Sequence, residues 1–286
     1  MITRRQLLPG GAGLGALALG AEAEQPRVRQ GARRLLLGDP EPAHPVPSGQ
    51  GTVVQGTFAS RAMQTTTRWA VAYPGPVTPG LPVLLVLHGR GSDARAVLGS
   101  HRLGAFLTQA VQRGTPPFAV VAVDGGDHTY WHRRASGQDP QAMLTGELLP
   151  LLSAHGLQTR RVALGGWSMG GYGALLLAER LGSSRITAVA VDSPAIWRRA
   201  SESAPGAFDD PTDFTEHDVL AGAADLAGIP VRVSCGTSDP FLPGVRALLR
   251  DLPHAEHDLA AGVHDLAWWQ HAAPAQLAFV GRQLRR

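Results

Sequence analysis

Hydrophobic positions along this chain follow two rhythms, and their order predicts the architecture. Segments 52–59 and 63–73 alternate apolar and polar side chains, which suits strands at a half-covered antiparallel edge. Short unbroken apolar runs then recur at 83–87, 118–123, 162–164, 186–191 and 231–234. Such runs predict parallel strands, because helices cover both of their faces and leave no polar side. Segment 256–260 reads as one more strand. Between the runs, helical spacing of apolar residues predicts helices at 103–113, 141–154, 171–181 and 245–252, with a last helix at 266–284. Strand and helix in alternation predict an α/β fold: a mostly parallel, doubly wound sheet with an antiparallel N-terminal edge. Ligands in such sheets collect at the C-terminal ends of the strands, so the residues just after each run should carry the chemistry.

The first 50 residues do not fit this rhythm. Residues 1–23 hold a basic start with Arg4-Arg5, an apolar stretch from Leu14 to Ala21, and the small-x-small triplet Ala21-Glu22-Ala23. That pattern predicts an export signal. Its apolar run falls far short of the roughly 20 residues a spanning helix needs, so no stable membrane insertion is expected after cleavage. Thr3-Arg4-Arg5-Gln6-Leu7-Leu8 resembles the twin-arginine motif, with Leu in place of the commoner Phe. A secreted or extracytoplasmic product, exported by that route, is the expectation. Segment 24–50, rich in Pro and Arg, reads as a linker, and 51–286 as one catalytic domain.

Composition narrows the chemistry. A chain of 286 residues that is 44% apolar can fill a large core, which excludes disorder or coiled coil as a reading of the whole. All 26 basic residues are Arg, so Walker-type phosphate loops and lysine Schiff bases drop out. A net charge of +3 without a long basic run gives no track for nucleic acid. Cys235 stands alone, so no intramolecular disulfide can form. His128 and His132 are spaced i,i+4 but in a Gly-rich approach, and no H-E-x-x-H occurs; neither metal nor cofactor is expected.

The chemistry-bearing residues follow the apolar runs. After 162–164 comes Gly165-Gly166-Trp167-Ser168-Met169-Gly170-Gly171, a Gly-x-Ser-x-Gly at a strand-to-helix junction. So sharp a turn requires nearly bare neighbours two positions either side of the serine, and it exposes the Ser168 hydroxyl at a helix N-terminus. A serine needs a base and an orienting acid. Asp239 follows the run at 231–234 in Gly236-Thr237-Ser238-Asp239-Pro240, and His264 follows the strand at 256–260 in Gly262-Val263-His264-Asp265. Asp192, which also ends a strand, is the second candidate for the acid. An oxyanion would be held by the Met169 amide and by an amide of His88-Gly89-Arg90-Gly91-Ser92, with Arg90 first and Gly91 next. His88 is expected to brace that loop. Trp131, His132 and Trp167 are expected to line the substrate site, with Tyr130 beside them and Trp197, Phe208 and Phe214 supplied by the insertion 193–225.

With these pieces assembled, the chain resembles the esterase D, S-formylglutathione hydrolase and antigen 85-like branch of the α/β-hydrolases, and within it exported actinobacterial esterases. The resemblance covers most of 51–286. It rests on Leu87-His88-Gly89-Arg90-Gly91, Gly166-Trp167-Ser168-Met169-Gly170-Gly171, Gly236-Thr237-Ser238-Asp239-Pro240 and Gly262-Val263-His264-Asp265. It implies an α/β-hydrolase fold and a cofactor-free serine esterase acting on small-molecule esters, with Ser168, Asp239 and His264 as the triad. The alternative is an acyltransferase that moves the acyl group to a sugar or cell-wall hydroxyl. The sequence leaves the oligomeric state open.

Overall fold

The computed structural model describes residues 45–49 and 51–285, which belong to one compact unit. The expected export signal, and the linker up to residue 44, lie outside the described residues. Residues 45–49 have no regular structure, and the Arg102 guanidinium donates to the carbonyls of Pro47 (2.9 Å) and Ser48 (2.8 Å). No helix among the described residues is long and apolar enough to cross a membrane.

Strands β1 (Val53–Ser60), β2 (Thr65–Ala72) and β3 (Pro82–Leu87) open the fold. Helices α1 (Ala94–Leu98) and α2 (Leu103–Gln112) lead to β4 (Ala119–Val123). Helix α3 (Pro140–Met143) runs through a π turn (Leu144–Leu148) into α4 (Leu149–Ala154), and β5 (Gln158–Trp167) follows. Then come α5 (Met169–Leu181), β6 (Ile186–Asp192), α6 (Pro211–Glu216), β7 (Val231–Ser234), α7 (Leu242–Asp251), β8 (Glu256–Asp258) and α8 (Leu266–Leu284).

The eight strands form one sheet in the order β1-β2-β4-β3-β5-β6-β7-β8. β1 pairs antiparallel with β2, and β2 antiparallel with β4; every other pair is parallel. This is the α/β-hydrolase arrangement. The central runs are buried on both faces because alternate side chains enter two separate cores. Val83, Leu85 and Leu87 of β3 join the core that holds α5, while Leu84 and Val86 join the one packed with α2 and α8.

Three departures from the sequence expectation have physical causes. The helix expected at 141–154 is broken by its π turn just before Pro150, which has no N–H to continue the ladder. The strand expected at 162–164 runs from Gln158 to Trp167, because its polar start pairs alongside β3 where the sheet meets solvent. The segment expected to open β2 at Met63 is instead a turn. The Glu147 carboxylate accepts from the amides of Arg61 (2.9 Å) and Ala62 (3.1 Å) there, and Gln64 takes the left-handed conformation (φ 56°).

Candidate active site

The parallel strands all point one way, so the loops after β3, β5, β7 and β8 emerge along one edge of the sheet. Ser168 sits between β5 and α5 with φ 54° and ψ −122°, a conformation that costs a non-glycine residue about 1–3 kcal/mol. Its neighbours permit the bend. A Cβ on Gly166 would lie 2.6 Å from the Gly170 backbone, and one on Gly170 would lie 1.9 Å from the Leu87 carbonyl oxygen. The start of α5 is thereby pressed against the end of β3.

His264 Nε2 lies 3.0 Å from Ser168 Oγ, and its Nδ1 lies 2.8 Å from Asp239 Oδ2. The Asp239 side chain is fully buried, and its other oxygen accepts from the Phe241 amide at 2.8 Å. The loops that carry the two residues are stitched together: Thr237 N–H donates to the Ala260 carbonyl (2.8 Å) and Ser238 N–H to that of Gly262 (2.9 Å). Asp192 makes no such contact. It hydrogen-bonds the Ser234 hydroxyl, and its backbone carbonyl accepts from Ser168 N–H at 3.0 Å. Burial pushes the Asp192 carboxyl up to about 7 against the pull of Ser234 and Arg232. Cys235, buried beside it, is held far above the usual thiol range by burial and then by the Asp239 charge.

Met169 is the first residue of α5, so its N–H belongs to the turn that lacks intrahelical partners. Across from it, a Cβ on Gly89 would sit 2.6 Å from Trp167 Nε1 and 3.5 Å from Ser168 Cβ, which brings the start of the β3 loop against the serine. Arg90 follows at that point, while the Gly91 amide turns away to the Asp127 carbonyl (3.4 Å). This loop is braced from below. His88 Nδ1–H donates to its neighbour's carbonyl, Gly89 O (2.9 Å), and Nε2 accepts from Gly125 N–H (3.0 Å). The Nε2 bond needs the neutral ring, and burial holds the His88 pKa below its ordinary value. Arg68 ties the far end, donating to Asp124 (2.7 Å) and Asp93 (3.1 Å), while Asp93 and Asp124 cap the first amides of α1.

The three residues expected to line the substrate site are all buried. Trp131 is wholly enclosed and packs over Gly125 and Gly173, its indole N–H donating to the His88 carbonyl at 3.1 Å. It braces the loop from the core, turned inward by two consecutive left-handed residues, Tyr130 (φ 48°) and Trp131 (φ 59°). Trp167 lies beneath Gly89, stacked on His101 with ring centres 3.7 Å apart. His132 is also buried, with Nε2 against the Ala207 carbonyl at 3.2 Å. An aromatic beside a catalytic loop packs into a core as readily as it lines a pocket, and sequence pattern alone cannot separate the two.

Two residues without a sequence signal, Phe241 and Trp269, flank His264, and the expected Tyr130, Trp197 and Phe208 extend from Phe241. Phe241 meets the His264 ring edge-on at 5.1 Å and Trp269 at 5.3 Å. Trp197 joins Phe241 to Tyr130, with centroids 5.5 Å apart on each side, and Phe208 packs against both Trp197 and Tyr130. The Asp-Pro at 239–240 marked the loop but not Phe241. Trp269 sits one turn into a helix whose face the sequence left unassigned.

The family model described as "Putative esterase" matches residues 60–280. The chain belongs to this esterase family. It is accordingly a carboxylic ester hydrolase. Among solved structures it resembles a ferulic acid esterase at 20% identity and TM-score 0.70, covering 82% of this chain and 98% of that one. An S-formylglutathione hydrolase from Staphylococcus aureus is similar at 18% identity and TM-score 0.66 (82% and 100% covered). MPT51 from Mycobacterium tuberculosis is similar at 16% identity and TM-score 0.67 (82% and 100% covered). These likenesses establish the shared fold. No curated protein sequence matches the chain.

Proposed function

We propose that this esterase works through an acyl-enzyme on Ser168, with His264 as base and Asp239 as the acid that orients it. The continuous hydrogen-bond chain from Ser168 Oγ through both ring nitrogens of His264 to Asp239 carries this reading. His264 Nε2 takes the hydroxyl proton as Oγ attacks the ester carbonyl. The Asp239 carboxylate holds the Nδ1 proton and stabilises the imidazolium. The Met169 and Arg90 amides donate to the tetrahedral oxyanion, each such donor being worth about 10²–10³ in turnover. The imidazolium returns its proton to the leaving alcohol. Water, deprotonated by the same nitrogen, then releases the acid and frees Ser168.

The substrate side is proposed to be a compact or planar aromatic acyl group. Support comes from the ring cluster of Tyr130, Trp197, Phe208 and Phe241 beside His264, and from the likeness to proteins described as ferulic acid esterases. A fluorophosphonate probe followed by mass spectrometry tests the nucleophile: one adduct, on Ser168, is expected. Ser168→Ala should lose on the order of 10⁴-fold or more in kcat while its melting temperature holds. Ester hydrolysis at the parent rate in that variant would overturn the assignment. Comparing methyl cinnamate-type esters with long-chain alkyl esters tests the acyl preference, which fails if the long chains are cleaved as fast.

A further inference from the structure

A second set of chemically capable side chains lies outside the triad, where the loop 127–137 meets the segment 206–217. His132 comes from the loop; Asp213 lies on α6, and His217 caps its C-terminus. One ligand atom from each of the three lies within 4.8 Å of the other two. Asp213 Oδ1 is 2.9 Å from His217 Nδ1 and 3.5 Å from His132 Nδ1. Bonds of about 2.0–2.1 Å in a tetrahedron put neighbouring ligand atoms about 3.4 Å apart, so these separations bracket what a zinc ion needs.

Without an ion, His217 Nδ1 also meets the Asp213 backbone carbonyl at 2.9 Å, a contact that ligation would replace, and the other contacts of the three hold them in place for it. His132 Nε2 faces the Ala207 carbonyl at 3.2 Å. Nδ1 lies 3.1 Å from the Arg133 carbonyl and 3.5 Å from Asp213 Oδ1, so a proton on Nε2 puts the Nδ1 lone pair on the side that an ion would share with Asp213. Asp213 Oδ2 accepts from the Asp209 amide at 2.7 Å, which fixes the carboxylate and leaves Oδ1 for the shared point. The His217 backbone is pinned in turn, because its carbonyl accepts from the buried Tyr172 hydroxyl at 2.6 Å. The nearby positive charge of Arg134 is already committed to Asp209 (2.8 Å) and to the carbonyls of Ala207 and Gly206.

We propose that His132, Asp213 and His217 bind one divalent transition-metal cation, best matched by zinc, which clamps the loop behind Tyr130 and Trp131 to the segment carrying Phe208. Two nitrogens and one carboxylate oxygen suit zinc better than calcium or magnesium, which take oxygen ligands. A fourth position would fall to water, since the His217 side is partly open. The ion would be structural, holding the wall of the substrate site at a distance from the serine.

The test uses the full chain after chelation and dialysis, with Ser168 capped by a fluorophosphonate so that the triad histidine does not compete. Zinc titration followed by calorimetry and elemental analysis should give one ion per chain and a rise in melting temperature. Asp213→Asn and His217→Gln should each weaken zinc binding by about 100-fold or more and abolish the thermal shift. His217 is partly exposed, so its variant is expected to fold even if Asp213→Asn does not. Absence of equimolar uptake by the parent chain overturns the proposal. So does uptake that both variants leave unchanged.

Discussion

Asp239 gives one carboxylate oxygen to the Phe241 amide and the other to His264 Nδ1, each at 2.8 Å. Asp192, at the end of the neighbouring strand, spends its side chain on Ser234. The two substitutions to Asn should therefore part company. In Asp239→Asn the amide oxygen would keep the Phe241 N–H and the NH₂ would turn to the histidine. Nδ1 would then become an acceptor and Nε2 a donor, unable to take the serine proton. We expect kcat to fall about 10⁴-fold with the fold intact, as the loss of the correct tautomer costs in other triads. Asp192→Asn keeps an oxygen for Ser234 and leaves the backbone bond to Ser168 untouched, so kcat should change less than 10-fold. Steady-state kinetics on both variants decides it; equal losses would remove Asp239 from its role.

At the level of elements, the site depends on α5 starting hard against the end of β3. Gly170→Ala would drive a methyl into the Leu87 carbonyl, a backbone atom that cannot swing aside. We expect about 3 kcal/mol or more of destabilisation, at the upper end for overpacking. Gly146 makes the contrast: it is exposed within a helical turn and has open space around its Cα. Gly146→Ala should gain about 0.5–1 kcal/mol, because alanine loses less chain entropy there. Urea unfolding of the pair tests both signs. The same packing explains what was legible beforehand. Ser168, Asp239 and His264 stand at the ends of strands, so the order of runs and the glycine spacing located them before any coordinates. Trp131, His132 and Trp167 are buried, and at Trp131 the cause is the left-handed backbone of Tyr130 and Trp131, which no side-chain pattern announces. The cluster of His132, Asp213 and His217 was invisible for a different reason: it joins segments that only the folded chain brings together. Helix α6 is short, but Asp210-Pro211, with the Asp210 side chain accepting from the Thr212 and Asp213 amides, is a start signal that a closer reading could have used.

For the molecule as a whole, two buried carboxyls add a pH-dependent share to stability. Asp192 is enclosed at the centre of the sheet with a pKa near 7, and Glu179 on α5 is raised to about 8 by burial and by Asp225 and Asp218. In the unfolded chain both groups titrate near 4. Between those values the native state holds protons that the unfolded state has released, so raising the pH through that window favours unfolding. The contribution of Asp192 is complete above about pH 7 and that of Glu179 above about pH 8; below about pH 4 neither group acts. The share of stability owed to these carboxyls should thus decline from pH 4.5 to 8, opposed below about pH 6.5 by the buried His88 and His101, whose pKa values burial lowers, and the Asp192→Asn, Glu179→Gln double variant should decline less. Both groups act on the same cooperative unit although they lie on different elements, so their effects should add. Urea midpoints for the parent and the double variant at half-unit steps across this range provide the measurement. Profiles that run parallel would mean that these carboxyls ionise at the same pH folded or unfolded, and that the sheet centre is not the source of the dependence.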